Sequence, residues 1–109
     1  MKTFFKSDEV ELEDLGDGVK RKIMGYDDNL MLVKVFFEKD AIGSPHKHHH
    51  EQVSYVLEGK FKVEIAGNEQ VLTKGDSFVV PKHAMHGAVC LEKGILIDTF
   101  SPKRDEFLE

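Results

Sequence analysis

The amino-acid sequence predicts a single all-β domain, a small antiparallel β-barrel or jelly roll. Short apolar runs alternate with glycine-marked turns along all 109 residues, no stretch sustains a helical period, and no linker, repeat or low-complexity segment divides the chain. Many short strands with turn signals between them are the pattern of sandwiches and barrels.

Strands are expected at Val19–Met24, Leu30–Glu38, Gln52–Leu57, Phe61–Ile65, Gln70–Leu72, Ser77–Val80, Gly87–Leu91 and Ile95–Phe100. Turns fall at Asp27-Asp28-Asn29, Glu58-Gly59, Gly67-Asn68, Lys74-Gly75-Asp76 and Lys93-Gly94. The Gly67-Asn68 pair reads as a two-residue hairpin, because glycine supplies the positive φ that such turns require. Phe61, Val63 and Ile65 alternate with Lys60, Lys62 and Glu64, giving one buried and one wet face. Gln52 to Leu57 alternates less cleanly, so both of its faces are expected to be covered. A short turn is expected around Arg104–Leu108.

Composition narrows the function. Twenty acidic and 15 basic side chains give a formal net charge of −5. That balance argues against nucleic acid and against an anionic membrane surface, both of which need a basic face. The opening Met1-Lys2-Thr3-Phe4-Phe5-Lys6-Ser7-Asp8 lacks the long apolar core of a signal peptide. The run Leu30–Val33 is far too short to span a bilayer. The expectation is a cytoplasmic protein. Cys90 is the sole cysteine, so no intrachain disulfide forms, and its neighbours Ala88, Val89 and Leu91 suit a packed core thiol.

All six histidines fall in two clusters, Pro45-His46-Lys47-His48-His49-His50-Glu51-Gln52 and Pro81-Lys82-His83-Ala84-Met85-His86. Three neutral imidazoles and one oxygen donor hold a first-row divalent ion while leaving coordination positions open for chemistry. In a strand, residues i and i+2 share a face, so His46 and His48 point the same way and Gln52 keeps that parity. His49 and Glu51 have the opposite parity. His50 has the right parity but lies where the chain is expected to bend. His49 and His50 are read as loop residues, and His83 as flanking the site.

The combination His-x-His-x3-Gln-x6-Gly followed by Gly-x5-Pro-x4-His resembles the two sequence motifs of the cupins. The resemblance implies that both motifs meet inside a small barrel, with His46, His48, Gln52 and His86 as ligands of one divalent transition-metal ion, Zn, Ni, Mn or Fe. Most cupins carry glutamate where this chain has Gln52. A neutral shell leaves the ion's full charge in place and makes it a stronger Lewis acid toward carboxylates and enolates.

The second informative region is Ile95-Leu96-Ile97-Asp98-Thr99-Phe100-Ser101-Pro102-Lys103-Arg104. Leu96, Asp98 and Phe100 share one strand face. Asp98 either faces a partly apolar cavity, where burial raises its pKa and suits it to proton transfer, or forms a structural ion pair with a nearby Lys or Arg; the sequence leaves both open. Arg104 is either a solvated charge or curls back over the barrel mouth to grip a carboxylate bidentately.

Together with Leu15-Gly16-Asp17-Gly18-Val19-Lys20-Arg21-Lys22, Asn29–Val35 and Ser54-Tyr55-Val56-Leu57-Glu58-Gly59, this ending is similar to the KdgF-type pectin-degradation cupins, from about Leu12 to the C-terminus. Members of that family open 4,5-unsaturated monouronates from pectin or alginate breakdown into linear ketouronates. The resemblance implies the same small-molecule uronate substrate here. It implies that the family's acid, aromatic and arginine are Asp98, Phe100 and Arg104, and that Gln52 is the family's glutamine ligand. It also suggests a homodimer, with residues 1–14, chiefly Thr3–Glu11, at the interface, because a strand-rich chain has edges to cover. Two other readings are open: a metal-dependent cupin dioxygenase, and a non-catalytic sugar- or metabolite-binding cupin.

Overall fold

A computed structural model describes residues 1–109. After a 3-10 turn at Ser7–Glu9 come β1 (Glu13–Gly16), β2 (Val19–Tyr26), β3 (Met31–Phe37), β4 (Ile42–His46), β5 (Glu51–Ile65), β6 (Asn68–Thr73), β7 (Ser77–Val80) and β8 (His86–Ser101), then a second 3-10 turn at Asp105–Phe107. Every strand pairing is antiparallel. No helix is long and apolar enough to cross a membrane.

Two of the expected turns are not chain reversals. Glu58-Gly59 and Lys93-Gly94 lie inside single long strands, β5 and β8, which pair with each other along most of their length. Register shifts between Val56 and Phe61 mark a bulge there, and a bulge bends a strand without ending it. Gly59 has φ +86°, and a Cβ on it would lie 2.5 Å from the Lys93 carbonyl oxygen. Only glycine meets both demands. The bulge also changes parity: Gln52, Ser54 and Val56 are buried before it, Phe61 and Val63 after it.

The bend divides the ribbon between two layers. The first half of β5 and the end of β8 lie with β1, β2, β3 and β7. The second half of β5 and the start of β8 lie with β4 and β6. Val33, Val56 and Leu96 from one layer join Phe61, Val63 and Cys90 from the other in a single core. Phe37 meets Phe61 edge to face at 5.2 Å. Cys90 is buried there as a core thiol, its Sγ–H donating to the Glu92 carbonyl at 3.0 Å.

Other expectations need adjustment. Glu13–Gly16 and Ile42–His46 are additional strands. The hairpin after Ile65 turns on Ala66-Gly67 (φ +49° and +85°), one residue earlier than Gly67-Asn68, and pairs Ile65 with Asn68. β5 alternates strictly through Val56, and its outer residues Val53 and Tyr55 are 49% and 45% exposed, so the chain itself covers only one face. The turn at Asp27-Asp28-Asn29 is as expected, with Asp27 Oδ1 accepting the N–H groups of Asn29 and Leu30.

Candidate metal centre

The three histidines whose ring nitrogens converge come from different local structures, and His86 alone of them is buried. His46 ends β4 and His86 begins β8, directly opposite each other in the ladder. His48 lies two residues beyond the end of β4. Strand parity therefore does not aim His48; the loop does. The backbone N–H of His83 donates to the His48 carbonyl at 2.8 Å, so the loop between β7 and β8 holds the loop between β4 and β5 in place. His83 adopts φ +63° to do this. Gln52 follows on the buried side of β5.

The ring nitrogens of His46, His48 and His86 lie within 4.8 Å of one another. Metal–nitrogen bonds are about 2.1 Å, so small ring rotations bring all three within reach of one ion. The orientation of each ring is fixed from behind. His46 Nδ1–H donates to the Ser44 carbonyl at 2.8 Å, His48 Nδ1–H to the His50 carbonyl at 3.0 Å, and His86 Nδ1–H to the Ala84 carbonyl at 3.0 Å. A carbonyl only accepts, so each Nδ1 carries the proton and each Nε2 presents a lone pair. Burial lowers the His48 and His86 imidazoles below the ordinary histidine range, and the Arg104 charge adds to this at His48. Both effects favour the neutral ring a metal requires.

Two observations show that this donor set suits a cation. His86 Nε2 is buried and has no hydrogen-bond partner. His48 Nε2 and Gln52 Oε1 approach to 3.1 Å, although with Nδ1 protonated both present lone pairs. Such a pair repels unless positive charge lies between or beside it. A divalent ion fits the residues present.

Beyond the histidines a cavity of about 160 Å³ opens, lined by Asp98, Phe100 and Arg104 as well as by His46, Gln52 and His86. Asp98 faces this space from β8, flanked by Leu96 and Phe100 as their spacing implies. Its partner is the Ser54 hydroxyl, which donates to Asp98 Oδ1 at 2.6 Å, not a lysine or arginine. Burial raises the carboxyl to about 6, while the Ser54 hydrogen bond and the Arg104 charge pull it down. Arg104 curls back over the mouth. Its guanidinium carbon lies 5.1 Å from the Phe100 ring centre and 4.3 Å from that of Phe107, and its Nε donates to Glu106 at 2.7 Å. The guanidinium carbon of Arg21 also lies over the Phe107 ring, 4.1 Å from its centre.

The sequence pattern places Phe107 only in a terminal turn and His50 in a loop. Phe107 packs against the core, and His50 is buried beside Phe100, their ring centres 6.5 Å apart. Ser54 shares the inward parity of Gln52, which is the one local signal that it belongs to the site.

The cupin domain family model matches residues 33–97. The chain is 53% identical over 110 residues to the pectin degradation protein KdgF of Dickeya dadantii, covering 99% of this chain and all of that one. The chain belongs to the KdgF cupins. Two solved structures agree with this cupin throughout. KdgF from Halomonas sp. is 46% identical with a TM-score of 0.92, over 96% of this chain and 99% of that one. An RmlC-like cupin from Shewanella frigidimarina is 52% identical with a TM-score of 0.95, over 98% of this cupin and 96% of its counterpart.

Proposed function

We propose that this cupin opens 4,5-unsaturated monouronates, of the kind released when pectin or alginate is broken down, into linear ketouronates. The observation that carries the reading is a single cavity shared by the candidate ligands His46, Gln52 and His86 and by Asp98, Phe100 and Arg104, with His48 closing the ligand group beside it. The kinship with KdgF supports the pathway.

The substrate is a cyclic hemiacetal whose ring oxygen is joined to a carbon–carbon double bond. Breaking the C1–O5 bond gives an aldehyde and an enol, and proton transfer to C4 turns the enol into a ketone. No net redox change occurs. When bound, a divalent ion such as Zn, Ni, Mn or Fe supplies Lewis acidity toward the carboxylate and the developing enolate oxygen. Asp98 takes the proton of the C1 hydroxyl and delivers one to C4, and its carboxyl near 6 suits it to do both close to neutral pH. Arg104 binds the uronate carboxylate through the guanidinium edge that Glu106 leaves free. Phe100 and Phe107 pack on the sugar ring and exclude water from it.

We also propose that the chain acts as a homodimer. Leu32, Thr99, Val53 and Val79 lie in one cross-strand row on the outer sheet face, and Tyr55 and Ile97 lie beside one another in a neighbouring row. Val53, Tyr55 and Val79 are 49%, 45% and 61% exposed, and Phe4 of the N-terminal segment is 85% exposed. A second copy covers this apolar face, with the N-terminal segment at its margin.

The deciding experiment supplies an unsaturated monouronate and follows the loss of double-bond absorbance against the spontaneous reaction. Acceleration that persists anaerobically with zinc supports ring opening and rejects a dioxygenase. No acceleration with any of the four metals rejects the proposal and favours a binding protein.

A further inference from the structure

We propose that Ser54 is a positioning residue that decides which end of the Gln52 side chain meets the metal ion. The inference rests on Gln52 being a ligand.

Ser54 is fully buried on β5 and stands between two residues of the cavity, pairing across the ladder with Asp98. Gln52 and Asp98 line the cavity and Ser54 does not, so it acts through its neighbours. A serine hydroxyl has one proton and two lone pairs. The hydroxyl donates that proton in a hydrogen bond to the Asp98 carboxylate at 2.6 Å. What remains toward Gln52 is a lone pair, and Gln52 Nε2 donates to it at 2.9 Å. The amide nitrogen is thereby committed to Ser54, and the oxygen Oε1 turns toward His48 Nε2 and the other histidines.

The opposite orientation is unfavourable at both ends. It sets the amide oxygen against the lone pairs of Ser54, leaving buried acceptors unpaired. It also directs two N–H bonds at a cation. A glutamate in this position would need no such device, because a carboxylate presents oxygen at both ends. An amide ligand needs a neighbour that accepts and does not donate. Ser54 meets that condition because its O–H is already donated to Asp98.

A double-mutant cycle on zinc affinity tests this without any sugar. Zinc is titrated calorimetrically, with chelator competition, into metal-free wild type, Ser54→Ala, Gln52→Glu and the double variant. Ser54→Ala should weaken zinc binding about 10- to 100-fold, the usual loss when the partner of a metal ligand is removed. In the Gln52→Glu background the same change should weaken it about threefold or less, because no orientation is left to choose. Thermal unfolding checks that each variant is folded; if Ser54→Ala is not, Ser54→Cys takes its place in the cycle. Unchanged zinc affinity on loss of the hydroxyl overturns the inference, and so does an equal loss in both backgrounds, which marks Ser54 as merely structural. If the wild type binds no zinc, the ligand set and this inference fall together. If uronate turnover is absent but the cycle behaves as expected, only the substrate assignment falls.

Discussion

His46 stands directly across from His86 in the ladder between β4 and β8, their ring centres 4.3 Å apart. Backbone pairing thus fixes two candidate ligands against each other before any ion arrives, and only His48 and Gln52 depend on other contacts. An ion joining all four ties the start of β8 to the end of β4, to the loop that follows it and to β5.

Removing the ion should therefore destabilise the fold measurably. A ligand that binds only the folded state adds about 2.7 kcal/mol at one hundred times its dissociation constant. Chelation should lower the melting temperature of the wild type, and re-addition of zinc or manganese should restore it. His48→Ala should lose bound metal and activity together, and its melting temperature should no longer respond to chelator. Retention of a full equivalent of metal in His48→Ala would remove His48 from the ligand set.

Asp98→Asn separates proton transfer from metal binding. The amide oxygen can still accept the Ser54 hydroxyl, so fold and metal content should stay as in the wild type. The amide cannot carry the proton, and kcat should fall about 100-fold or more, the scale of general acid–base catalysis. Full turnover of an unsaturated uronate by this variant would make the acid structural.

Asp98 should also make stability depend on pH. Burial raises its carboxyl from an ordinary 3.8 to about 6, so the folded protein holds this proton more tightly than the unfolded chain. The neutral acid's contribution is fully present below about 3.8 and is lost as pH rises through about 6. In metal-free protein, denaturant titrations across this range should show the wild type losing up to about 3 kcal/mol relative to Asp98→Asn. A difference that stays constant with pH would mean the burial penalty is absent.

Arg104→Ala should chiefly raise KM for uronates, with some loss of kcat if ring orientation depends on the clamp. A neutral analogue lacking the carboxylate should be a poor substrate of both proteins and should show little difference between them. Equal KM values for the uronate in the two proteins would place the carboxylate elsewhere.

The dimer has its own readout. Sedimentation at micromolar concentration should give twice the 12.4 kDa chain mass, and Val53→Lys should shift the protein toward monomer. A wild type that sediments only as monomer would reject the interface.

The sequence alone determined the all-β class and the burial of Phe61 and Val63, because a two-residue period is a local property of a strand. The resemblance of its motifs to those of the cupins brought His46, His48, Gln52 and His86 into one candidate set, and strand parity placed Leu96, Asp98 and Phe100 on one face. Only the tertiary structure decided that Gly59 and Gly94 bend two long strands where turns were expected, since that outcome depends on the close approach of β5 to β8. It likewise decided that His48 is aimed by the His83 backbone, that Asp98 meets Ser54 and not a basic side chain, and that Phe107 packs against Arg21. Each of these is a contact between residues far apart in the chain, where local pattern carries no information about the partner.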